Sequence, residues 1–306
     1  MIFSIQEEKM IVKVIGLGKM GMGIAENLLR NGHTVRGFDT AKETRLELEK
    51  MGGTYYESLQ SLLTDEQQLV WIMLPAGKIT NETIQKTAEY LNPGSIVIEA
   101  GNSHYTDSVY NAKFLAKKGI HFLDVGTSGG VNGAKHGACM MIGGEASIFK
   151  KIETLFKDIC VESGYLYCGK AGSGHYLKMV HNGIEYGMMQ SIGEGFNLLT
   201  HSPYEYNLAN VAQVFNHGSV IRSWLMELTE NVYRSEIDFD KISGVVPSSG
   251  EGKWTVEEAL RLKVSLPVIT QSLMTRYASE DCDKIGEKVV ALLRNQFGGH
   301  AFIEGE

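Results

Sequence analysis

Within nine residues, Lys178-Met-Val-His-Asn-Gly-Ile-Glu-Tyr186, the chain collects a lysine, a histidine, an asparagine, a glutamate and a tyrosine. At about 100° per helical residue, measured from Lys178, Asn182 falls near ~40°, Glu185 near ~−20°, His181 near ~−60° and Tyr186 near ~80°. All five share one side of a helix, a costly place to gather polar groups unless something binds there. Lys178 and Glu185 stand two turns apart, roughly 10 Å along the axis. Two long side chains at that spacing can reach opposite ends of a small polar molecule, one as a base and the other as an acid. The competing reading is a solvated face with an incidental charge pair. The rest of the chain weighs against it.

A second constellation lies near the start. Gly16-Leu17-Gly18-Lys19-Met20-Gly21 follows a β-branched apolar run, Met10 to Ile15, and precedes a helix-compatible stretch, Ile24 to Arg30. A lone GxGxxG is a weak signal, but strand, glycine loop and helix in that order form a dinucleotide-binding unit. Gly16 permits the tight turn, Gly18 lets a pyrophosphate approach the backbone, and Gly21 allows close helix–sheet packing. Asp39 ends the next strand, eighteen residues beyond Gly21. Its carboxylate suits the adenosine 2′-hydroxyl and repels a 2′-phosphate, so NAD is expected over NADP, with Arg36 and Lys42 nearby as a moderating influence. Leu74, Pro75, Ala76 and Asn102 are further cofactor-lining candidates. Two polar loops, Gly101-Asn102-Ser103 and Gly126-Thr-Ser128-Gly129-Gly130, are expected at strand ends on the same sheet edge, where a ligand crevice forms.

The elements that must position these groups follow from periodicity. Strands are expected at Thr34–Phe38, Leu69–Leu74, Ser95–Glu99, His121–Val125 and Ala138–Ile142. Helices are expected between them, for example over Lys78–Leu91 and Ser108–Lys118. This alternation predicts a doubly wound, mainly parallel Rossmann-type sheet over residues 1–174. Beyond Gly174 strand patterns cease. Periodic stretches run over His175–His201, Leu208–Asn216, Val220–Tyr233, Thr255–Ser279 and Asp281–Gln296, which predicts a smaller all-helical domain over residues 175–306. The candidate catalytic face opens that domain, where it is expected to close over a cleft.

At 306 residues the length suits two domains. Hydrophobic residues make up 43% and charged residues 21%, which is the composition of a soluble globular protein. No apolar run approaches the ~20 residues of a membrane span. The first residues, MIFSIQEEKM, lack a basic flank and an apolar core, so they read as a short extension rather than a secretory signal. A net charge of −7 argues against generic nucleic-acid binding. Cys139, Cys160, Cys168 and Cys282 show no metal-ligand spacing and read as reduced thiols of a cytoplasmic protein. No metal is expected.

Asn102 after a strand, Ser128-Gly-Gly130 and above all the run from Lys178 to Gly187 resemble decarboxylating 6-phosphogluconate dehydrogenase. The resemblance runs from about Met10 to His300. The wider 3-hydroxyacid dehydrogenase superfamily keeps the lysine and asparagine but not the surrounding run. The small helical domain is similar to that of a short, NAD-preferring branch. The resemblance implies oxidation of the 3-hydroxyl of 6-phosphogluconate, loss of carbon dioxide from the 3-keto acid, and protonation of the enediol at C1 of ribulose 5-phosphate. It implies Lys178 as base and then acid, Glu185 as the C1 acid, and Asn102, Asn182 and His181 as positioning groups. Ser128, Gly129 and Gly130 would hold the carboxylate end. Tyr186, Arg276, Arg294 and His300 would bind the phosphate, the last two reaching a partner subunit's site in a homodimer or larger assembly. One departure stands out: the loop Pro247-Ser-Ser249-Gly-Glu-Gly-Lys253-Trp254 carries Ser249 where the long enzymes carry a phosphate-binding lysine. Two other readings remain open, a 3-hydroxyacid dehydrogenase that does not decarboxylate and a non-catalytic NAD-binding sensor.

Overall fold

The computed structural model describes residues 9–64 and 66–304. The N-terminal extension read from the sequence therefore lies, up to residue 8, outside the described residues. The chain divides into two compact units, one ending at Asn182 and the other beginning at Gly183.

The first unit is built on eight strands: β1 (Ile11–Ile15), β2 (Thr34–Phe38), β3 (Thr54–Tyr55), β4 (Leu69–Ile72), β5 (Ile96–Glu99), β6 (His121–Ser128), β7 (Ala138–Gly144) and β8 (Cys160–Gly169). Their order in the sheet is β3-β2-β1-β4-β5-β6-β7-β8. All neighbouring pairs are parallel except β6 with β7. Between the strands run α1 (Lys19–Arg30), α2 (Thr44–Lys50), α3 (Leu59–Leu62), α4 (Lys78–Thr87), α5 (Tyr105–Ala116), α6 (Gly130–His136) and α7 (Ala146–Ile159). Because β1 pairs with β2 on one side and β4 on the other, the winding reverses at β1, and the glycine loop leaves the sheet at that point. Alternation along β4 feeds both faces: Trp71 joins a core with Ile98, Leu155 and Phe156, while Val70 and Ile72 join one with Ile84, Val97 and Leu115. Each such buried aliphatic side chain contributes about 1.5–3 kcal/mol.

Several expectations change here. β4 stops at Ile72, so Leu74-Pro75-Ala76 forms a loop. β6 continues through Gly126-Thr-Ser128, which pairs antiparallel with β7 instead of forming a free loop. β8 shows no sequence signal because it is an edge strand, paired with β7 alone, with Val161 and Leu166 exposed. Half-exposed edges lack the continuous apolar run that marks a central strand.

Helix α8 (Ser173–Thr200) runs through the division between the units. Beyond it the second unit holds α9 (Leu208–Asn216), α10 (Trp224–Arg234), α11 (Glu251–Leu262), α12 (Pro267–Glu280) and α13 (Ile285–Gly298). Ser223 caps α10 by accepting from the Met226 N–H at 3.1 Å, which starts that helix later than the apolar pattern alone suggests. The periodic stretch Thr255–Ser279 is two helices. Lys263 takes a left-handed conformation at the end of α11, and Pro267 opens α12 at its first turn. Phe196, Ala212 and Met226 form a small core, with Tyr233 stacked on Phe196 at 5.4 Å.

Candidate active site

The cofactor end is shaped by close backbone packing. Gly16 has φ +94°, and a Cβ there would strike the Met73 carbonyl; one at Gly21 would strike the Gly16 carbonyl. A Cβ at Gly18 would meet nothing within 4 Å, so the space over the first turn of α1 is open. Gly18 caps α1 without a side-chain hydrogen bond, and the first turn carries no acidic residue. The amides there suit an anion such as a pyrophosphate. Asp39 is held by backbone donors: the Leu17 N–H reaches Oδ2 at 2.5 Å and the Ala41 N–H reaches Oδ1 at 2.8 Å. Leu17 thus spends its amide on Asp39, and its side chain lies in the core. Lys19, Pro75, Ala76 and Asn102 are exposed, and Met20 and Leu74 are half-buried. These residues fit a dinucleotide.

The candidate base is placed by the start of α8. Asp124, at the centre of β6 and fully buried, accepts from the Gly172 N–H at 2.6 Å and the His175 N–H at 2.9 Å. It therefore satisfies two donors at the helix N-terminus, where a carboxylate is also favoured by the helix dipole. One and a half turns later, Lys178 lies against β6 so closely that a Cβ on Gly126 would strike its Cβ. Only 7% of Lys178 is exposed. Its Nζ donates to Asn182 Oδ1 at 2.7 Å and lies 3.4 Å from His181 Nδ1. His181 Nδ1 is 3.1 Å from the same Asn182 oxygen, and its Nε2 is 3.2 Å from Ser128 Oγ. One imidazole tautomer cannot serve both Nδ1 contacts. If Nδ1 donates to Asn182, Nε2 accepts from Ser128; if Nδ1 accepts from Lys178, Nε2–H donates to Ser128. Ser128, Lys178, His181 and Asn182 are thus one connected group, with Gly129 capping α6 beside it in sequence at φ +105° and Gly130 opening that helix.

In the second unit, Glu185 is half-buried on the same helix, two turns after Lys178. The Tyr186 ring packs under the first turn of α11, where a Cβ on Gly252 would strike it. The Arg276 guanidinium lies 3.5 Å above the centre of that ring and donates to the Pro247 carbonyl at 3.2 Å. Tyr186 Oη and Ser248 Oγ are buried without hydrogen-bond partners, and buried hydroxyls of that kind call for a ligand or water. Ser249 Oγ donates to the buried Glu251 carboxylate at 2.5 Å. Lys253 instead pairs along the helix with Glu257 at 3.5 Å. Arg294 and His300 are exposed on α13 and its tail, and Asn295 holds the tail through the His300 carbonyl at 3.0 Å.

Sequence reasoning missed Asp124. A charged residue inside the apolar strand Phe-Leu-Asp-Val was the available signal, since a buried carboxylate needs donors. Burial pushes the Cys160 thiol up to about 12 and raises that of Cys168 as well, which makes neither a thiolate nucleophile at neutral pH. Among the described residues no group of three or more His, Cys, Asp or Glu could hold a metal ion, and no helix is long and apolar enough to cross a membrane.

Residues 11–169 match the NAD binding domain of 6-phosphogluconate dehydrogenase, and residues 174–300 match the C-terminal domain of the same enzyme. The Bacillus subtilis protein YqeC, named only provisionally as a 6-phosphogluconate dehydrogenase, is 48% identical over 95% of this chain and 99% of its own. An NAD(+)-dependent, decarboxylating 6-phosphogluconate dehydrogenase of Haloferax volcanii is 38% identical over 94% of this chain and 96% of its own. The solved 6-phosphogluconate dehydrogenase of Plasmodium falciparum, described with NADP+ and with 6-phosphogluconate, superposes with a TM-score of 0.82 at 26% identity. That likeness covers 96% of this chain and 66% of the longer one. Both halves are accounted for by the same enzyme, and two relatives agree almost end to end; the chain belongs to the 6-phosphogluconate dehydrogenase family.

Proposed function

We propose that this protein converts 6-phosphogluconate to ribulose 5-phosphate and carbon dioxide with reduction of NAD. The observation that carries the reading is the buried Lys178, held by Asn182 and His181, with Glu185 two turns along the same helix. Residues 1–174 serve as the dinucleotide domain and residues 175–306 as the substrate and dimerisation domain. Gly16 to Gly21 and the first amides of α1 hold the pyrophosphate, and Leu74 to Ala76 and Asn102 line the cofactor. Asp39, fixed by the Leu17 and Ala41 amides, binds the 2′-hydroxyl and selects NAD over NADP. NAD, when bound, accepts the hydride from substrate C3.

Lys178 takes the proton from the C3 hydroxyl while Asn102, Asn182 and His181 hold the hydroxyls. The resulting ketone lies β to the carboxylate, which Ser128, Gly129 and Gly130 orient. As the bond to the carboxylate breaks, its electron pair moves toward the C3 oxygen, and Lys178 returns its proton there. Glu185 then protonates the carbon that becomes C1 of the product, and Lys178 recovers the enediol proton as the ketone re-forms. Simple oxidation without decarboxylation leaves Glu185 no carbon to protonate, which disfavours that alternative.

Tyr186 and Arg276 take the phosphate end, and the unpartnered Tyr186 and Ser248 hydroxyls supply neutral donors there. Arg294 and His300 act in the partner subunit's site. Support for a homodimer comes from α13, which buries no residue although it carries Val289, Val290, Leu292, Leu293 and Phe297. The test is NADH formation measured side by side with 6-phosphogluconate, gluconate and 3-hydroxyisobutyrate. Turnover confined to the first supports the assignment. Preference for either of the others overturns it.

A further inference from the structure

Two ionisable residues in the first unit are fully buried and take no part in the chemistry above. Glu99 ends β5 and is 0% exposed; His175, in the first turn of α8, is 2% exposed. Glu99 Oε1 accepts from the Gly101 N–H at 3.0 Å, and Oε2 lies 3.5 Å from His175 Nδ1. The same ring nitrogen is 2.7 Å from Ser108 Oγ on α5. His175 Nε2 is buried with no hydrogen-bond partner, so the imidazole is oriented from its Nδ1 side alone. The other charged group nearby is the Asp124 carboxylate, already committed to the Gly172 and His175 amides.

The positions of these residues matter. Glu99 stands three residues before Asn102, at the root of that loop, and His175 stands three residues before Lys178, one turn up α8. The contact therefore joins the strand end that carries Asn102 to the helical turn that carries the base. We propose that Glu99 and His175 are a positioning pair, which sets the Asn102 loop against the Lys178 turn and acts on the reaction only through those two residues. Burial raises the Glu99 carboxyl above the usual carboxylate range; His175, Ser103 and the Gly101 amide oppose the shift, and Asp124 adds to it. Glu99 Oε1 accepts from Gly101 while Oε2 only touches the imidazole at 3.5 Å, a shape that a glutamine side chain also fits.

The inference rests on the catalytic reading above, and wild-type turnover of 6-phosphogluconate in the same assay tests that reading separately. The experiment compares Glu99→Ala, Glu99→Gln and Ser108→Ala by kcat, KM and NAD affinity, with active sites counted by NAD titration. Misplacing a catalytic group by about 1 Å costs up to about 100-fold, so Glu99→Ala should lower kcat per NAD-binding site by about 10- to 100-fold. Its NAD affinity should stay within about twofold of wild type, because the glycine loop is untouched. Glu99→Gln should keep kcat within about threefold, since it keeps the side chain's length and an oxygen that can accept from the Gly101 N–H. Ser108→Ala, which only frees the imidazole to turn, should fall between them and serves if Glu99→Ala does not fold. A purely structural role would lower the number of NAD-binding sites and leave kcat per site unchanged. That result, or a Glu99→Gln loss as large as that of Glu99→Ala, overturns the proposal. If Glu99→Ala does not fold, wild-type kcat per site in Ser108→Ala overturns it.

Discussion

Lys178→Met keeps the length of the side chain and leaves no nitrogen to carry a proton. NADH formation should fall by about 10²- to 10⁴-fold, the usual worth of a positioned general base, while fluorescence titration shows NAD binding unchanged. Retained turnover would remove Lys178 as the base. Glu185→Gln holds the hydrogen-bonding shape and loses the acid. Steady-state turnover should drop by about 100-fold or more; a near-wild-type rate would discard Glu185 as the C1 acid. Ser249 raises a different question, because its hydroxyl is tied to Glu251 where the sequence resemblance implies a phosphate-binding lysine. Ser249→Lys should lower KM for 6-phosphogluconate by about 10-fold, in line with a charge-assisted hydrogen bond of about 1.5–3 kcal/mol, and leave KM for NAD unchanged. A KM that stays the same would mean that the phosphate does not reach this loop.

Helix α8 does the positioning, and its anchor is a strand residue. The polar face of α8 was legible because five polar types within nine residues have a helical period. The anchor was not, because Asp124, Gly126 and the α8 start are distant in sequence and meet only once β6 is paired in the sheet. Gly126→Ala puts a methyl against the Lys178 stem. It should lower kcat more than it lowers the folded fraction, as judged by turnover per NAD-binding site; equal losses would mean that the close approach only serves packing. The first βαβ unit was legible for the opposite reason, since strand, glycine loop and helix are contiguous. Its far end is pinned by His33, whose Nδ1 accepts from the Met10 N–H at 3.2 Å and whose Nε2–H donates to Asp158 at 3.0 Å. Burial holds His33 below the ordinary histidine value of 6.5, with Lys9 in the same direction and Asp158 opposing. Protonation is thus disfavoured in the folded state. The stability this group contributes is complete above pH 6.5 and is lost as pH falls below it. Denaturant midpoints measured from pH 7.5 to 5.5 should decline, and His33→Gln should flatten the decline. An unchanged slope in the variant would assign the effect to other groups.

On the scale of the whole molecule, the alternation of strands and helices already indicated a doubly wound sheet. The edge strand β8 and the antiparallel β6–β7 pair were not legible, because sheet edges and strand direction depend on partners rather than on local pattern. In the proposed homodimer the C-terminal tail reaches the partner subunit's site. Deleting residues 299–306 removes His300 and should raise KM for 6-phosphogluconate while NAD affinity stays constant. Loss of NAD affinity instead would place the tail's effect on the fold. The central claim is that one site oxidises and then decarboxylates. Its most direct test is trapped carbon dioxide counted against NADH with 6-phosphogluconate as substrate. The account predicts one carbon dioxide per NADH, with ribulose 5-phosphate as the product. NADH accompanied by a stable 3-keto acid and no carbon dioxide would contradict it.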